Sequence, residues 1–312
     1  MSDITHWIER VHPAARGGSW KPIERGGSDR KFWRGAGAAA GLVAIAYGSE
    51  KAENARYADC ASFLHSHGVR VPQVLAHDAE QRFLLLEDAG SEDLWTHAAA
   101  PWDKRAELYR LALREVAAMH KADLAEAEAA RVLQAPFDAD LYRWEQDYFS
   151  EHFLGSRPEN LAPLEEQARS LAAKPRVLLH RDFQSQNIMV RDGRVVLIDF
   201  QGMRAGLAGY DVASLLYDPY VEMSAAERTE LANFYFEVAG LSHRADWEDE
   251  LRACARQRLM QALGAYGFLG RVKNKPSFLQ FVPVAADRLA ALCQDDPAWQ
   301  NLAEAVRAAA AK

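Results

Sequence analysis

Asp182 and Asn187 lie within His180-Arg181-Asp182-Phe183-Gln184-Ser185-Gln186-Asn187, and Asp199 follows at the end of Val195-Val196-Leu197-Ile198-Asp199. In that order a carboxylate can orient a hydroxyl nucleophile, while an amide and a second carboxylate can hold Mg²⁺ against the phosphates of ATP. Moving a phosphoryl group asks a protein for positioning and charge neutralisation more than for covalent help, so this small set of side chains goes far. His180 reads as a brace for the loop backbone rather than a proton carrier.

The elements that must position these groups are visible on both sides. Val177-Leu178-Leu179 enters as a short apolar strand and Ile188-Met189-Val190 leaves as another. Arg191-Asp192-Gly193-Arg194 carries the Asp-Gly signal of a tight hairpin, and Val195 to Ile198 returns as a buried strand. The hairpin predicts that Asp199 folds back toward Asp182 and Asn187, so that all three face one divalent cation.

The 312 residues suffice for one large or two moderate domains, and an apolar share of 49% is ample for a core. A formal net charge of -7 argues against a general surface for nucleic acid or anionic membrane. Cys60, Cys254 and Cys293 are far apart, which predicts neither a disulfide framework nor a zinc site and fits a reducing cytosol. Asp3 and Glu9 stand where an export signal would need a basic start and an apolar run. The charge-free stretch Gly35 to Ser49 falls short of the ~20 residues of a membrane span. The expectation is a cytoplasmic protein working on a small molecule, with its oligomeric state left open.

Ser19 to Arg25, Arg30 to Arg34 and Leu42 to Tyr47 read as strands, the first two joined by Gly26-Gly27-Ser28-Asp29. Glu50 to Gly68 reads as a helix with Tyr57, Cys60, Ala61 and Leu64 on one face and Gly68 as its stop. Val71-Pro72 and Phe83 to Leu86 add strand signals. From Trp102 onward helices dominate, with Leu108, Ala112, Val116 and Met119 as one buried stripe. Ala303 to Lys312 reads as a fraying helix. A boundary near Glu87-Asp88-Ala89-Gly90 divides a β-rich part, 1–88, from a mainly helical part, 89–312. The class is α+β.

With these features in place, the chain resembles the aminoglycoside phosphotransferase and choline kinase superfamily from about Arg25 to about Pro283. Within it the likeness is to bacterial cell-wall amino-sugar kinases, which phosphorylate N-acetylmuramate or N-acetylglucosamine at the anomeric hydroxyl. Gly27 to Arg34, Leu197 to Gly202 with Tyr210 to Leu216, and Gln257 to Gly264 carry this narrower likeness.

The resemblance implies a bilobal protein-kinase-like fold using ATP and Mg²⁺. Asp182 would be the catalytic base or hydroxyl-orienting group, and Asn187 and Asp199 the metal ligands. Gly26, Gly27 and Ser28 would form the turn over the phosphates. Leu86, Glu87 and Asp88 would form the hinge whose backbone meets adenine. Asp211 would be a buried brace of the catalytic loop. Asp199-Phe200-Gln201 takes the place of the protein-kinase Asp-Phe-Gly, and Gln201 removes a flexible joint. The phosphate-binding lysine of the third strand is missing, since Leu42 to Tyr47 holds no basic residue, a feature shared with the amino-sugar kinases. Arg30, Lys31, Arg34 and Lys51 are substitutes, with Glu50 or Glu53 as anchors; Arg30 and Arg34 join the nucleotide-binding set.

A polycationic acceptor would call for a carboxylate-lined pocket, whereas the substrate-side segment offers Arg256, Arg258, Arg271, Lys273 and Lys275. That balance favours a neutral or anionic sugar, with Trp144, Tyr148, Phe149, Tyr217, Tyr220 and Tyr266 as aromatic candidates for its face. The alternatives are a kinase of the same fold acting on an aminoglycoside, choline, homoserine or a pentose derivative, and a non-catalytic nucleotide-binding regulator.

Overall fold

The structure, a computed structural model, describes residues 2–24, 30–158 and 162–311. Helix α1 (Ser2–Val11) precedes strands β1 (Ser19–Ile23), β2 (Lys31–Ala36) and β3 (Leu42–Ala46). Helix α2 (Tyr57–Ser66) leads to β4 (Val74–Asp78) and β5 (Phe83–Glu87). The five strands form one antiparallel sheet in the order β1-β2-β3-β5-β4. Side chains alternate across it as the period of two requires. Leu42, Ala44 and Leu85 pack with Ile4, Trp7 and Ile8 of α1 in a small core on one face. Ile45, Leu84 and Leu86 point the other way, into the main core.

The helix expected over Glu50 to Gly68 begins with a 3₁₀ turn, Ala52–Arg56, and becomes α-helical only from Tyr57. Its expected inner face is buried, Tyr57, Cys60, Ala61 and Leu64 together with Phe63. Gly68 ends it with φ of +74°. The Gly68 N–H donates to the His65 carbonyl and the Val69 N–H to the Leu64 carbonyl, the Schellman pattern that favours glycine there. Val71-Pro72, expected as strand, is not: β4 starts at Val74, because Pro72 has no N–H to give a ladder.

The rest of the chain runs β6 (Glu92–Asp93), α3 (Trp102–His120), α4 (Leu124–Ala129), α5 (Ala139–Phe149), α6 (Ala162–Ala173), β7 (Val177–Leu179), β8 (Ile188–Arg191), β9 (Arg194–Leu197), β10 (Arg204–Gly206), α7 (Ala208–Leu216), α8 (Ala225–Ala239), α9 (Arg244–Gly267), α10 (Val282–Gln294) and α11 (Gln300–Ala310). Two small sheets, β6-β8-β9 and β7-β10, carry the candidate residues against this helical base. Along α3, Ala112, Val116 and Met119 are buried as expected, with Tyr109 beside a half-buried Leu108. The main core joins α2 and the inner face of the sheet to α3, α7 and the β7–β9 strands. The expectation of a fraying C-terminal helix is corrected: Leu302, Ala303, Val306 and Ala309 of α11 are buried in a separate core with α9 and α10.

Candidate active site

The loop after β7 is held by a carboxylate beneath it. Asp211, on α7 and fully buried, accepts the backbone N–H of His180 at 2.7 Å and of Arg181 at 2.8 Å. Its position is fixed from behind by His120 Nε2 at 3.1 Å, whose Nδ1 lies 2.6 Å from the Tyr235 hydroxyl. This clamp holds Arg181 at φ of +80°, a strained conformation for a residue with a long side chain. The brace expected of Asp211 is present. His180 itself is buried beside Phe183 and neither ring nitrogen has a hydrogen-bond partner among the described residues, so its contribution to the brace is its backbone.

A second carboxylate ties the far side of the loop. Asp218, just beyond α7 and buried, accepts the Ser185 N–H at 2.8 Å, the Ser185 hydroxyl at 2.5 Å and the Tyr220 N–H at 3.0 Å. Burial pushes its carboxyl above the usual range against these donors, so the site spends its hydrogen bonds on keeping the group in place. Sequence reading missed Asp218; the only signal was an aspartate before Pro219, downstream of an apolar helix.

Between the clamps the loop is tight. The Gln184 N–H donates to the Asp182 carbonyl at 2.9 Å and the Asn187 N–H to the Gln184 carbonyl at 2.9 Å. Asn187 Nδ2 donates to the Asp182 carbonyl, also at 2.9 Å. That use of the amide nitrogen turns its oxygen, a hard donor, toward other duties. The β8–β9 turn places Asp192 and Gly193 at φ of +52° and +69°, the left-handed pair of a type I′ hairpin. The returning strand is pinned where it matters, the Ile198 N–H donating to the Asn187 carbonyl at 2.9 Å.

Asp199 thus arrives beside Asn187, with φ of +65°. Its Oδ1 accepts from Arg30 at 2.6 Å and from Gln201 Nε2 at 2.8 Å. Burial alone would raise its carboxyl, but the Arg30 guanidinium and the Gln201 amide hold it below the usual carboxylate range. Phe200 turns inward and meets the Tyr57 ring of α2 at 4.7 Å, which anchors the segment to the helix beneath the sheet. Gln201 therefore pins Asp199.

These groups open onto one cleft of about 420 Å³. Its polar lining includes Asp182, Gln184, Gln186, Asn187, Asp199 and Arg30, and its apolar lining Val43, Ile45, Leu86, Met189 and Ile198. Arg34, Lys51, Leu86, Glu87 and Asp88 line it too. Gly26, Gly27 and Ser28 lie outside the described residues. Arg34 is engaged: it pairs with Asp88 at 2.8 Å and donates to the Gly90 carbonyl at 2.5 Å. The Asp88 N–H donates to the Gly41 carbonyl at 2.9 Å and its carbonyl accepts from Arg191. Val43 and Ile45 line the cleft with apolar side chains, and Lys31 is exposed on β2. Among the described residues no three His, Cys, Asp or Glu side chains gather to hold a metal.

On the other side of Asp182, of the five basic residues read as substrate-side, Arg258 is the one that reaches the centre, 3.6 Å from Asp182 Oδ1. Arg256 lies over the Trp299 ring at 4.2 Å and bonds Gln167, while Arg271, Lys273 and Lys275 are exposed. Tyr220 and Tyr266 stand 6.2 Å apart, Tyr220 also facing Trp95 at 6.0 Å. Phe149 is core, and Trp144 stacks on Tyr148 in another aromatic group with His152 and Phe268.

An antiparallel sheet over a helical base, with an Asp-Asn-Asp set on the floor of the cleft between them, defines a phosphotransferase of the protein-kinase-like kind. Residues 19–265 match the model of the phosphotransferase enzyme family, and the chain belongs to that family. It is 29% identical to an N-acetylmuramate/N-acetylglucosamine kinase of Pseudomonas aeruginosa over 84% of this chain and 80% of that protein. A kinase of the same name from Pseudomonas putida is 26% identical over 91% of this chain and 88% of its own length. Among solved structures, a choline/ethanolamine kinase family protein from Mesorhizobium loti superposes with a TM-score of 0.65 at 18% identity, covering 98% of this chain and 99% of that one. No helix among the described residues is long and apolar enough to cross a membrane.

Proposed function

We propose that this chain is a cytoplasmic ATP- and Mg²⁺-dependent kinase of N-acetylated amino sugars, transferring the γ-phosphate to the anomeric hydroxyl of N-acetylmuramate or N-acetylglucosamine. The observation that carries this reading is the convergence of Asp182, Asn187 and Asp199 on one cleft in a chain related along most of its length to kinases of those sugars.

The cleft divides the work. Val43, Leu86, Met189 and Ile198 make an apolar slot for adenine, and the Leu86-Glu87-Asp88 segment, which lines it, supplies the polar edge. Asp88 and Arg34 hold that hinge through their mutual ion pair. Asn187 and Asp199 are the residues that would hold Mg²⁺: both offer oxygen, and two protein ligands would suit an ion that dehydrates reluctantly. When bound, Mg²⁺ neutralises charge on the transferring phosphoryl oxygens. Arg30, at the end of β2 and already beside Asp199, takes the part of the missing lysine toward the phosphates.

Asp182 orients the acceptor hydroxyl toward the γ-phosphate. An anomeric hydroxyl is more acidic than an ordinary alcohol, so Asp182 needs to accept its proton only as the new bond forms. The Arg258 cation next to Asp182 favours a neutral or anionic acceptor over a polycation. The test is ADP release with Mg²⁺-ATP against N-acetylmuramate, N-acetylglucosamine, hexoses, choline and aminoglycosides. Turnover is expected with the N-acetylated sugars, giving a product without a reducing end; preference for an aminoglycoside or choline would refute the assignment.

A further inference from the structure

Arg258 is a largely enclosed cation, with each of its nitrogens facing a different partner. It projects from α9 with its side chain 11% exposed. Nε donates to Ser214 Oγ at 2.9 Å, and one terminal nitrogen donates to Gln261 Oε1. Ser214 passes its own hydroxyl hydrogen to the Tyr210 carbonyl at 2.8 Å, and the guanidinium sits 5.8 Å from the centre of the Tyr210 ring. Two of the three guanidinium nitrogens are therefore fixed by α7 and α9, and the remaining terminal nitrogen faces Asp182 Oδ1 at 3.6 Å.

The carboxylate behind this arginine is already occupied. Glu145, buried on α5, accepts the Tyr210 hydroxyl at 2.7 Å and Gln257 Nε2 at 2.9 Å. A buried guanidinium demands an anion, and Asp182 is the acid side chain within ion-pair distance of it among the described residues. The relationship serves the aspartate more than the arginine. Asp182 is 37% exposed on the cleft and its loop is tied down through backbone atoms; its charge also reaches the Arg181 guanidinium, but Arg258 is the side chain within ion-pair distance of the carboxylate among the described residues. A triphosphate entering the cleft would repel that carboxylate and favour rotamers turned away from the acceptor.

We propose that Arg258 is a positioning residue of phosphoryl transfer: from α9 it holds the Asp182 carboxylate in the orientation that receives the acceptor hydroxyl, and it acts through Asp182 rather than on the nucleotide. This rests on the reading of Asp182 as the hydroxyl-orienting group. The planar fork matters as well as the charge, because its other hydrogen bonds set where the free nitrogen points.

The test is a double-mutant cycle on the full chain, with kcat, acceptor KM and the Kd for nucleotide measured separately. Arg258→Met keeps the volume and is expected to lower kcat by about 10- to 100-fold with nucleotide Kd unchanged within about twofold. In the Asp182→Asn background the same substitution is expected to cost less than about twofold, since the group it acts through is gone. Arg258→Lys, which keeps the charge and loses the fork, is expected to recover part of kcat; if Arg258→Met does not fold, Arg258→Lys carries the same cycle. An equal loss in both backgrounds would overturn the proposal by making Arg258 a structural residue, and wild-type kcat in Arg258→Met would do so outright. Unchanged turnover in Asp182→Asn alone would instead remove the reading of Asp182, and the proposal with it.

Discussion

The two walls of the cleft are built on opposite plans. The sheet side presents an apolar slot and a few cations at strand ends, Arg30 on Asp199 and Arg34 on Asp88, each partly open to solvent. The floor presents Asp182 and Asn187 on a loop whose turns are fastened to two fully enclosed groups, Asp211 and Asp218. The difference fits what each wall handles. A nucleotide brings its own charge and can displace a partly exposed ion pair, whereas a hydroxyl must be aimed to within a fraction of an ångström by groups already in place.

If the floor owes its geometry to buried carboxylates, cutting one should have the largest effect. Asp211→Ala removes the acceptor of two backbone N–H groups and the partner of His120, and leaves Arg181 in a strained conformation without its clamp. Loss of stability of about 3 kcal/mol is expected, read as a lowered denaturation midpoint, together with near-complete loss of turnover. A variant as stable as the parent would show that the loop holds itself.

The sheet wall should respond through binding. Arg30→Ala is expected to weaken ATP by about 10-fold, in keeping with the loss of one charge-assisted contact of about 1.5 kcal/mol. Nucleotide titration by calorimetry checks this, and unchanged affinity would pass the phosphate role to Lys51, which also lines the cleft. Arg34→Gln should have a smaller effect, a two- to fourfold loss of ATP affinity through a loosened hinge. A larger loss than that of Arg30→Ala would reverse their assigned roles.

The smallest effect concerns pH. Burial raises the Glu145 carboxyl above its ordinary value, against the hydrogen bonds of Gln257 and Tyr210 and the nearby Arg258 charge. A raised folded value stabilises the protein below the unfolded pKa of about 4.3, and that contribution fades as pH rises through the folded value. Glu145→Gln cannot ionise, so its melting temperature relative to the parent should climb between about pH 4 and pH 8 by a few degrees. A constant difference across that range would mean that Glu145 carries no such penalty.

What the sequence disclosed follows the same division. The Asp-Gly hairpin, the Gly68 stop and the inner face of α2 were legible because each depends on residues a few places apart. So was the Asp182-Asn187-Asp199 set, whose geometry one hairpin imposes. The membership of Arg258 was half legible: it stood among five basic candidates, and only the packing of α9 on α7 singles it out. Asp218 and the Arg30–Asp199 pair depend on contacts between distant segments, which no local pattern encodes. Helix α1 spaces Ile4, Trp7 and Ile8 on one face, yet what that face covers becomes plain only once Leu42, Ala44 and Leu85 are seen across from it. Likewise α11 is rich in alanine and reads as a loose end until its small side chains are found against α10.

The central claim is that Asp182 aims the acceptor while the opposite wall holds the nucleotide. Single-turnover phosphate transfer to N-acetylmuramate by Asp182→Asn, at saturating Mg²⁺-ATP, addresses both halves when nucleotide affinity is read from the same titration. The account predicts a rate lowered by about 10²- to 10⁴-fold with ATP affinity essentially that of the parent. A rate within about threefold of the parent would contradict it.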